Sequence, residues 1–153
     1  MGIEKTKDVE TITRLNEPVQ TLHNQLYPER FKKYNYKEVY KYFVEIVNED
    51  NQHFYVYSLD NSAVGYIWFT EIQKIGTAFS KKDHYIYIQQ VSVNENNQGI
   101  GIGKQLFNEV LHFAKEKSIK RIGLDYWVKN VHAKSIYERL GFKLEKEITY
   151  LSL

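Results

Sequence analysis

The chain has 153 residues, with 21 Lys and Arg against 19 Asp and Glu, five His and no Cys, for a net charge of +2. That length suits a single domain, residues 1–153, with a core that needs no staples. The missing cysteines exclude disulfides, thiol catalysis and cysteine–zinc sites, and the balanced charge argues against nucleic acid as a partner.

Residues 3–6 are expected as a short strand, and Asp8 stands where a helix N-cap belongs. Val9, Ile12, Leu15, Val19, Leu22 and Leu26 then recur at three- and four-residue steps, the mark of one helical face. Pro18 lacks an amide and so either interrupts that helix or starts a second one. Residues 36–47 read as a further helix with Val39, Tyr40, Phe43, Ile46 and Val47 inward. Residues 52–59 and 63–71 alternate like strands around Asp60-Asn61-Ser62, which predicts a hairpin. A polar loop over 76–83 leads to a third strand, 84–93. A helix is expected over 101–117, a strand over 121–127, a short helix over 133–140 stopped by Gly141, and a last strand over 143–151. No repeat or linker divides the chain. The order of elements predicts a mixed, mostly antiparallel sheet with helices on it, an α/β (α+β) layer architecture. No apolar run reaches the ~20 residues of a membrane span, and residues 1–5 are polar, so a cytoplasmic protein without membrane contact is expected.

The sharpest local signal is Gln98-Gly99-Ile100-Gly101-Ile102-Gly103-Lys104, between the third strong strand and its helix. A glycine-rich turn there aims several backbone amides at one point, where the helix dipole adds partial positive charge, and so favours phosphate. A dinucleotide fingerprint would need glycine where Lys104 stands. A P-loop would need glycine at 98 and Ser or Thr at 105, where the chain has Gln98 and Gln105.

The spacing Q-x-x-G-x-G resembles the acetyl-CoA pyrophosphate loop of the GCN5-related N-acetyltransferases (GNAT). Downstream, Asn130, Ala133, Tyr137, Gly141 and Phe142 are similar to that family's N-x-x-A-x-x-x-Y-x-x-x-G-F signature. The likeness is specific over about the last 70 residues and extends to the first 80 only through the order of elements. It implies an N-acetyltransferase that moves an acetyl group from acetyl-CoA to a primary amine, leaving CoA. Residues 91–93 (Val91, Ser92, Val93) would pair backbone groups with pantetheine where neighbouring strands splay. Gln98, Gly99, Ile100, Gly101, Ile102, Gly103 and Lys104 would take the pyrophosphate, Asn130 would hydrogen-bond the cofactor, and Tyr137 would protonate the departing thiolate.

The chain departs from a common family pattern at Gln89-Gln90, where many relatives carry a carboxylate. An alkylamine must shed its proton to attack a thioester, and an amide cannot accept it. Glu71, His84 and Asp125 are the alternatives by their strand positions. His23 and His132 have no assigned role, and the five scattered histidines show no metal-ligand spacing, so no metal is expected. The acceptor side is expected over residues 22–42, with His23, Tyr27, Phe31 and Tyr34 as lining and Glu29 or Glu38 available to a cation. A small-molecule amine is the expected partner, and fold analogy alone suggests a homodimer. A catalytically weak acyl-CoA sensor is the alternative reading, and a plain protein-interaction domain would leave the glycine turn unused.

Overall fold

The structure, a computed structural model, describes residues 2–153. β1 (Gly2–Lys5) leads into α1 (Val9–Leu26). The Asp8 carboxylate accepts from the amides of Glu10 at 3.1 Å and Thr11 at 3.3 Å, satisfying donors that a first helical turn leaves free. Pro18 does not end α1, which runs through it for 18 residues. The proline offers no amide to the Arg14 carbonyl and crowds that turn. The Tyr34 hydroxyl donates to the adjacent Thr13 carbonyl at 2.8 Å, so this acceptor is satisfied from outside the helix. α2 (Tyr36–Ile46) follows, capped by Asn35 through the Glu38 amide at 3.1 Å.

β2 (Gln52–Leu59), β3 (Ser62–Lys74) and β4 (Asp83–Val93) form a meander. A 3-10 turn, Glu95–Asn97, precedes α3 (Ile102–Glu116); β5 (Ile122–Leu124) and α4 (Val131–Arg139) come last. The sheet order is β1-β2-β3-β4-β5, antiparallel except where β5 joins β4 in parallel. β3 is covered on both faces, and residues 64–70 are all buried. Ile67 and Phe69 pack with Leu106, Val110 and Phe113 of α3. Tyr66 and Trp68 turn the other way, onto Ile12 and Leu15 of α1 and Phe43 of α2. The alternation of apolar side chains along one strand thus specifies a three-layer sandwich.

Two local features aim the site. Gly65 has no side chain because a Cβ would lie 3.1 Å from the Ser92 carbonyl oxygen and 3.3 Å from Ile102, so glycine lets α3 begin against β3 and β4. In β4, Phe69 faces Ile88 while Trp68 faces Gln90, which makes Gln89 an unpaired extra residue. Such a bulge resets which residues face which side. Ile86 and Ile88 before it, and Val91 and Val93 after it, all join the α3 core.

Two expected elements differ. The strand expected over 121–127 is paired only at Ile122–Leu124. The strand expected over 143–151 is absent: these residues pair with no strand, and Leu144, Ile148 and Leu151 are exposed. Alternation gives a segment strand character, but only a hydrogen-bonded partner makes it a strand, and the described residues supply none there.

Candidate active site

The glycine turn takes the shape that its residues predict. Gly99 and Gly101 have φ of 79° and 90°, a region that L side chains enter only at a cost. Gly101 is the N-cap residue of α3, and no side chain caps the helix. Its first-turn amides are therefore left for a ligand or solvent. A Cβ at Gly99, Gly101 or Gly103 would meet nothing within 4 Å, so open space lies over the start of a 15-residue helix. Backbone donors, the dipole and room for an anion coincide there. The flanking residues divide the work. Gln98 donates through Nε2 to the Val93 carbonyl at 2.9 Å and so pins the turn to β4. Ile102 is buried in the α3 core, and only its backbone can serve a ligand; Ile100 and Lys104 are exposed.

Next to this turn, the β4–β5 pairing stops at Ile88 and Leu124. From Gln89 to Val93 the β5 side of β4 has no strand partner, while Val91 and Val93 remain paired to Ile67 and Gly65 on the other side. The expected splay is present, and residues 91–93 line it. The Ser92 hydroxyl is buried without a hydrogen-bond partner.

α4 places Tyr137 beside Tyr126, two residues after β5, with their rings 6.1 Å apart. Asn130 caps α4 by accepting from the Ala133 amide at 3.1 Å, which occupies its oxygen and leaves its side-chain NH2. At the other end Gly141 has φ of 96°. The Phe142 ring packs 5.7 Å from Phe107 of α3 and 5.8 Å from Tyr137, tying α4 to α3. The Tyr137 phenol is held above its ordinary value of 10.0, chiefly by burial and then by the Asp125 charge. Both effects disfavour phenolate and keep the hydroxyl a proton donor.

On the α1 and α2 face, a cleft of about 410 Å³ meets the bulge, lined among others by Asn16, Glu38, Tyr42, Trp68, Gln89 and Gln90. Gln90 is a bridge: its Oε1 accepts from Asn16 of α1 at 2.7 Å and from the Tyr66 hydroxyl. Gln89 donates to Thr70 at 3.2 Å. Glu38 pairs with Lys32 at 3.4 Å, so it is not a free anion as expected, and Tyr34 is committed to α1. His23, Tyr27 and Phe31 do converge, on Trp127: His23 lies 4.9 Å from Phe31, Tyr27 4.8 Å and Phe31 5.0 Å from Trp127.

The three carboxylate or imidazole alternatives fall in different places. Glu71 and His84 hold each other at 2.8 Å beside buried His53, on the sheet end near Lys117. Asp125 directly follows β5 and accepts from the Tyr87 hydroxyl. Tyr87 and Trp127 were not singled out by sequence. The run Asp125-Tyr126-Trp127 after a short strand was the available signal, but its meaning depends on where β5 parts from β4. Among the described residues, no three His, Asp or Glu are placed to hold a metal.

The sequence profile described as "Acetyltransferase (GNAT) family" matches residues 16–142. The chain belongs to this family. As a GNAT protein it is 30% identical over 126 residues to "Uncharacterized N-acetyltransferase MJ1207" of Methanocaldococcus jannaschii, covering 77% of this chain and 52% of that protein. It is 30% identical over 70 residues to the "Spermine/spermidine N(1)-acetyltransferase" of Bacillus subtilis, covering 45% and 46% of the two chains. The chain thus spans about half the length of these two curated relatives. Among solved structures, the tetramutant of the BH1408 protein of Bacillus halodurans superposes with a TM-score of 0.92 over all of both chains at 22% identity, a likeness of fold.

Proposed function

We propose that the chain is an acyltransferase that moves an acetyl group from acetyl-CoA to a primary amine of a small-molecule acceptor. The observation that supports this reading is the presence together of three features that such a transfer needs. These are the uncapped glycine turn of α3, the unpaired edge of β4 from Gln89 to Val93, and Tyr137 held as a proton donor. Membership of the GNAT family supports acetyl-CoA as the cofactor.

Gly99 to Lys104 would hold the diphosphate through backbone amides, with Gln98 holding the turn. The free edge of residues 91–93 would pair with the amide-bearing arm, and the Asn130 side-chain NH2 would add a donor. The bound thioester supplies an activated acyl group. This chain's residues orient the acceptor, keep water out of the splay and deliver the Tyr137 proton to the leaving sulfur. A small amine suits the cleft at the bulge, and the polyamine activity named for the B. subtilis relative supports that class. We also take the described residues as one domain, since α1, α2 and α3 all pack on a single sheet. No helix among them is long and apolar enough to cross a membrane, in keeping with a cytoplasmic setting.

Calorimetry with CoA, followed by an amine panel with acetyl-CoA read by free-thiol release, tests the reading. Tight CoA binding with amine-dependent thiol release is expected. CoA binding without release from any amine would instead favour the sensor reading, and no CoA binding would overturn both.

A further inference from the structure

We propose that Asp125 seats the ammonium group of the acceptor and is the base that takes its proton. This builds on the acetyltransferase reading above. The geometry separates the three groups that could do this work. Glu71 and His84 are hydrogen-bonded to each other at 2.8 Å, and the second Glu71 oxygen lies 3.8 Å from His53. With Lys117 they mark the C-terminal end of α3. The glycine turn lies at the other end, on the order of 22 Å away for a 15-residue helix at ~1.5 Å per residue. Glu71 is thus committed to two imidazoles, one of them beside Phe113, rather than to a substrate amine.

Asp125 stands at the mouth of the splay. It is the residue after Leu124, the last of β5 to pair with β4. The Tyr87 hydroxyl donates to its Oδ2, which fixes the carboxylate and leaves the second oxygen for a ligand. The next residue, Tyr126, has its ring 6.1 Å from that of Tyr137, and the Asp125 charge acts on the Tyr137 phenol. Trp127 then gathers Tyr27 and Phe31, with His23 behind Phe31. An exposed carboxylate two residues before that aromatic cluster is a setting that selects a cation. The basic side chains nearby do not fill it. Lys129 lies over Tyr27 and donates to the Leu26 carbonyl, and Arg30 lies over Trp127 and Tyr150. Among the described residues, none of the salt bridges involves Asp125. The groups that face it are Tyr87 from β4, His23 from α1 and Tyr137 from α4, and the Asp125 charge raises the proton affinity of all three.

The step balances. A proton passes from the ammonium nitrogen to the free Asp125 oxygen and on to solvent. The released lone pair attacks the thioester carbonyl; an N–C bond forms and the C–S bond breaks, the sulfur takes the Tyr137 hydroxyl proton, and the second proton lost by the new amide nitrogen restores that hydroxyl.

Asp125→Asn, with Asp125→Glu as the conservative control, provides the test on two acceptors. One is n-butylamine, an alkylamine like a lysine side chain (pKa about 10); the other is glycinamide, an α-amine (about 8). Asp125→Asn should lower kcat/KM for butylamine by about 10² to 10³, and for glycinamide by about tenfold or less, because more of the latter is already neutral. The variant's butylamine rate should climb about tenfold per pH unit through pH ~9, where the native rate has levelled, and Asp125→Glu should recover part of the loss. Separately, without any thioester, n-butylammonium should shift the Trp127 indole N–H resonance in the native protein and not in Asp125→Asn. Equal kcat/KM on both acceptors in native protein and Asp125→Asn would overturn the base, and equal resonance shifts would overturn the seat. Thiol release from no amine at all would sink the acetyltransferase reading instead, and the resonance arm would still decide whether Asp125 holds the cation.

Discussion

The Phe142 amide donates to the Tyr137 carbonyl at 3.0 Å, while the Gly141 amide donates to Glu138 at 3.1 Å. This pair of bonds closes α4 with a left-handed glycine and throws the Phe142 ring onto α3. The position of the Tyr137 ring beside Tyr126 therefore depends on a backbone turn four residues later. Gly141→Ala should cost about 1–2 kcal/mol of stability, because φ of 96° disfavours any Cβ although the space is open. It should also lower kcat more than the affinity for CoA. Urea unfolding and steady-state kinetics on the same preparation check both.

Tyr137→Phe removes one oxygen and keeps the ring contacts with Tyr126 and Phe142. Binding of CoA by calorimetry should be unchanged, and kcat should fall by about 10² to 10³ if the phenol is the proton donor. Burial and the Asp125 charge both raise the proton affinity of Tyr137, so the alkaline fall in rate should come later than for a free phenol. A full pH–rate curve with unchanged turnover in the Phe variant would remove the acid.

Two glycines of the turn, Gly101 and Gly103, should respond differently. Gly101→Ala forces a Cβ into φ of 90° and should destabilise by about 1–2 kcal/mol. Gly103 lies inside α3 without positive φ, and a Cβ there meets no protein atom. Gly103→Ala should leave stability unchanged or raise it by up to about 1 kcal/mol, yet weaken CoA binding because the methyl group enters the anion's space. Thermal melts with and without CoA would show the two effects moving in opposite directions.

His53 gives the chain an acid-sensitive point away from the site. Its ring lies between Phe69 and Phe113 at 5.1 and 4.5 Å, and neither nitrogen has a hydrogen-bond partner. Burial, then the Lys5 charge, lower its proton affinity below the ordinary 6.5, with Glu71 opposing and Lys117 reinforcing. The unfolded chain thus binds this proton at a higher pH than the folded one. No stability is lost to His53 above pH ~6.5, and stability falls as the pH drops through and below that value. His53→Phe should match the native protein at pH 7.5 and exceed it at pH 5, measured by urea midpoints; parallel acid losses in both proteins would refute the assignment.

The glycine turn, the Asp8 cap, the β2–β3 hairpin and the Gly141 stop were legible in the sequence because each depends on residues a few positions apart. The bulge was not. Residues 84–93 read as one unbroken strand, and nothing local marks Gln89 as an extra residue until Trp68 and Phe69 of β3 are set against it. The roles of Gln90 and Asp125 were hidden for the same reason. Gln90 meets Asn16 from a helix 74 residues earlier, and Asp125 meets Tyr87 only because β5 leaves β4 after Leu124. Residues 143–151 failed in the opposite sense, since their alternating pattern was clear but had no partner. Pro18 was ambiguous until α1 was seen to run through it from Val9 to Leu26.

The freed margin of β4 is also a ruler. Five residues, Gln89 to Val93, separate the bulge from the strand end that Gln98 clasps. Their four steps of ~3.3 Å measure out roughly 13 Å. A donor whose arm is shorter than that span would anchor its charged end or present its acyl carbon, but not both at once. Truncated thioesters should therefore be poor donors even where the chemistry at the carbonyl is identical.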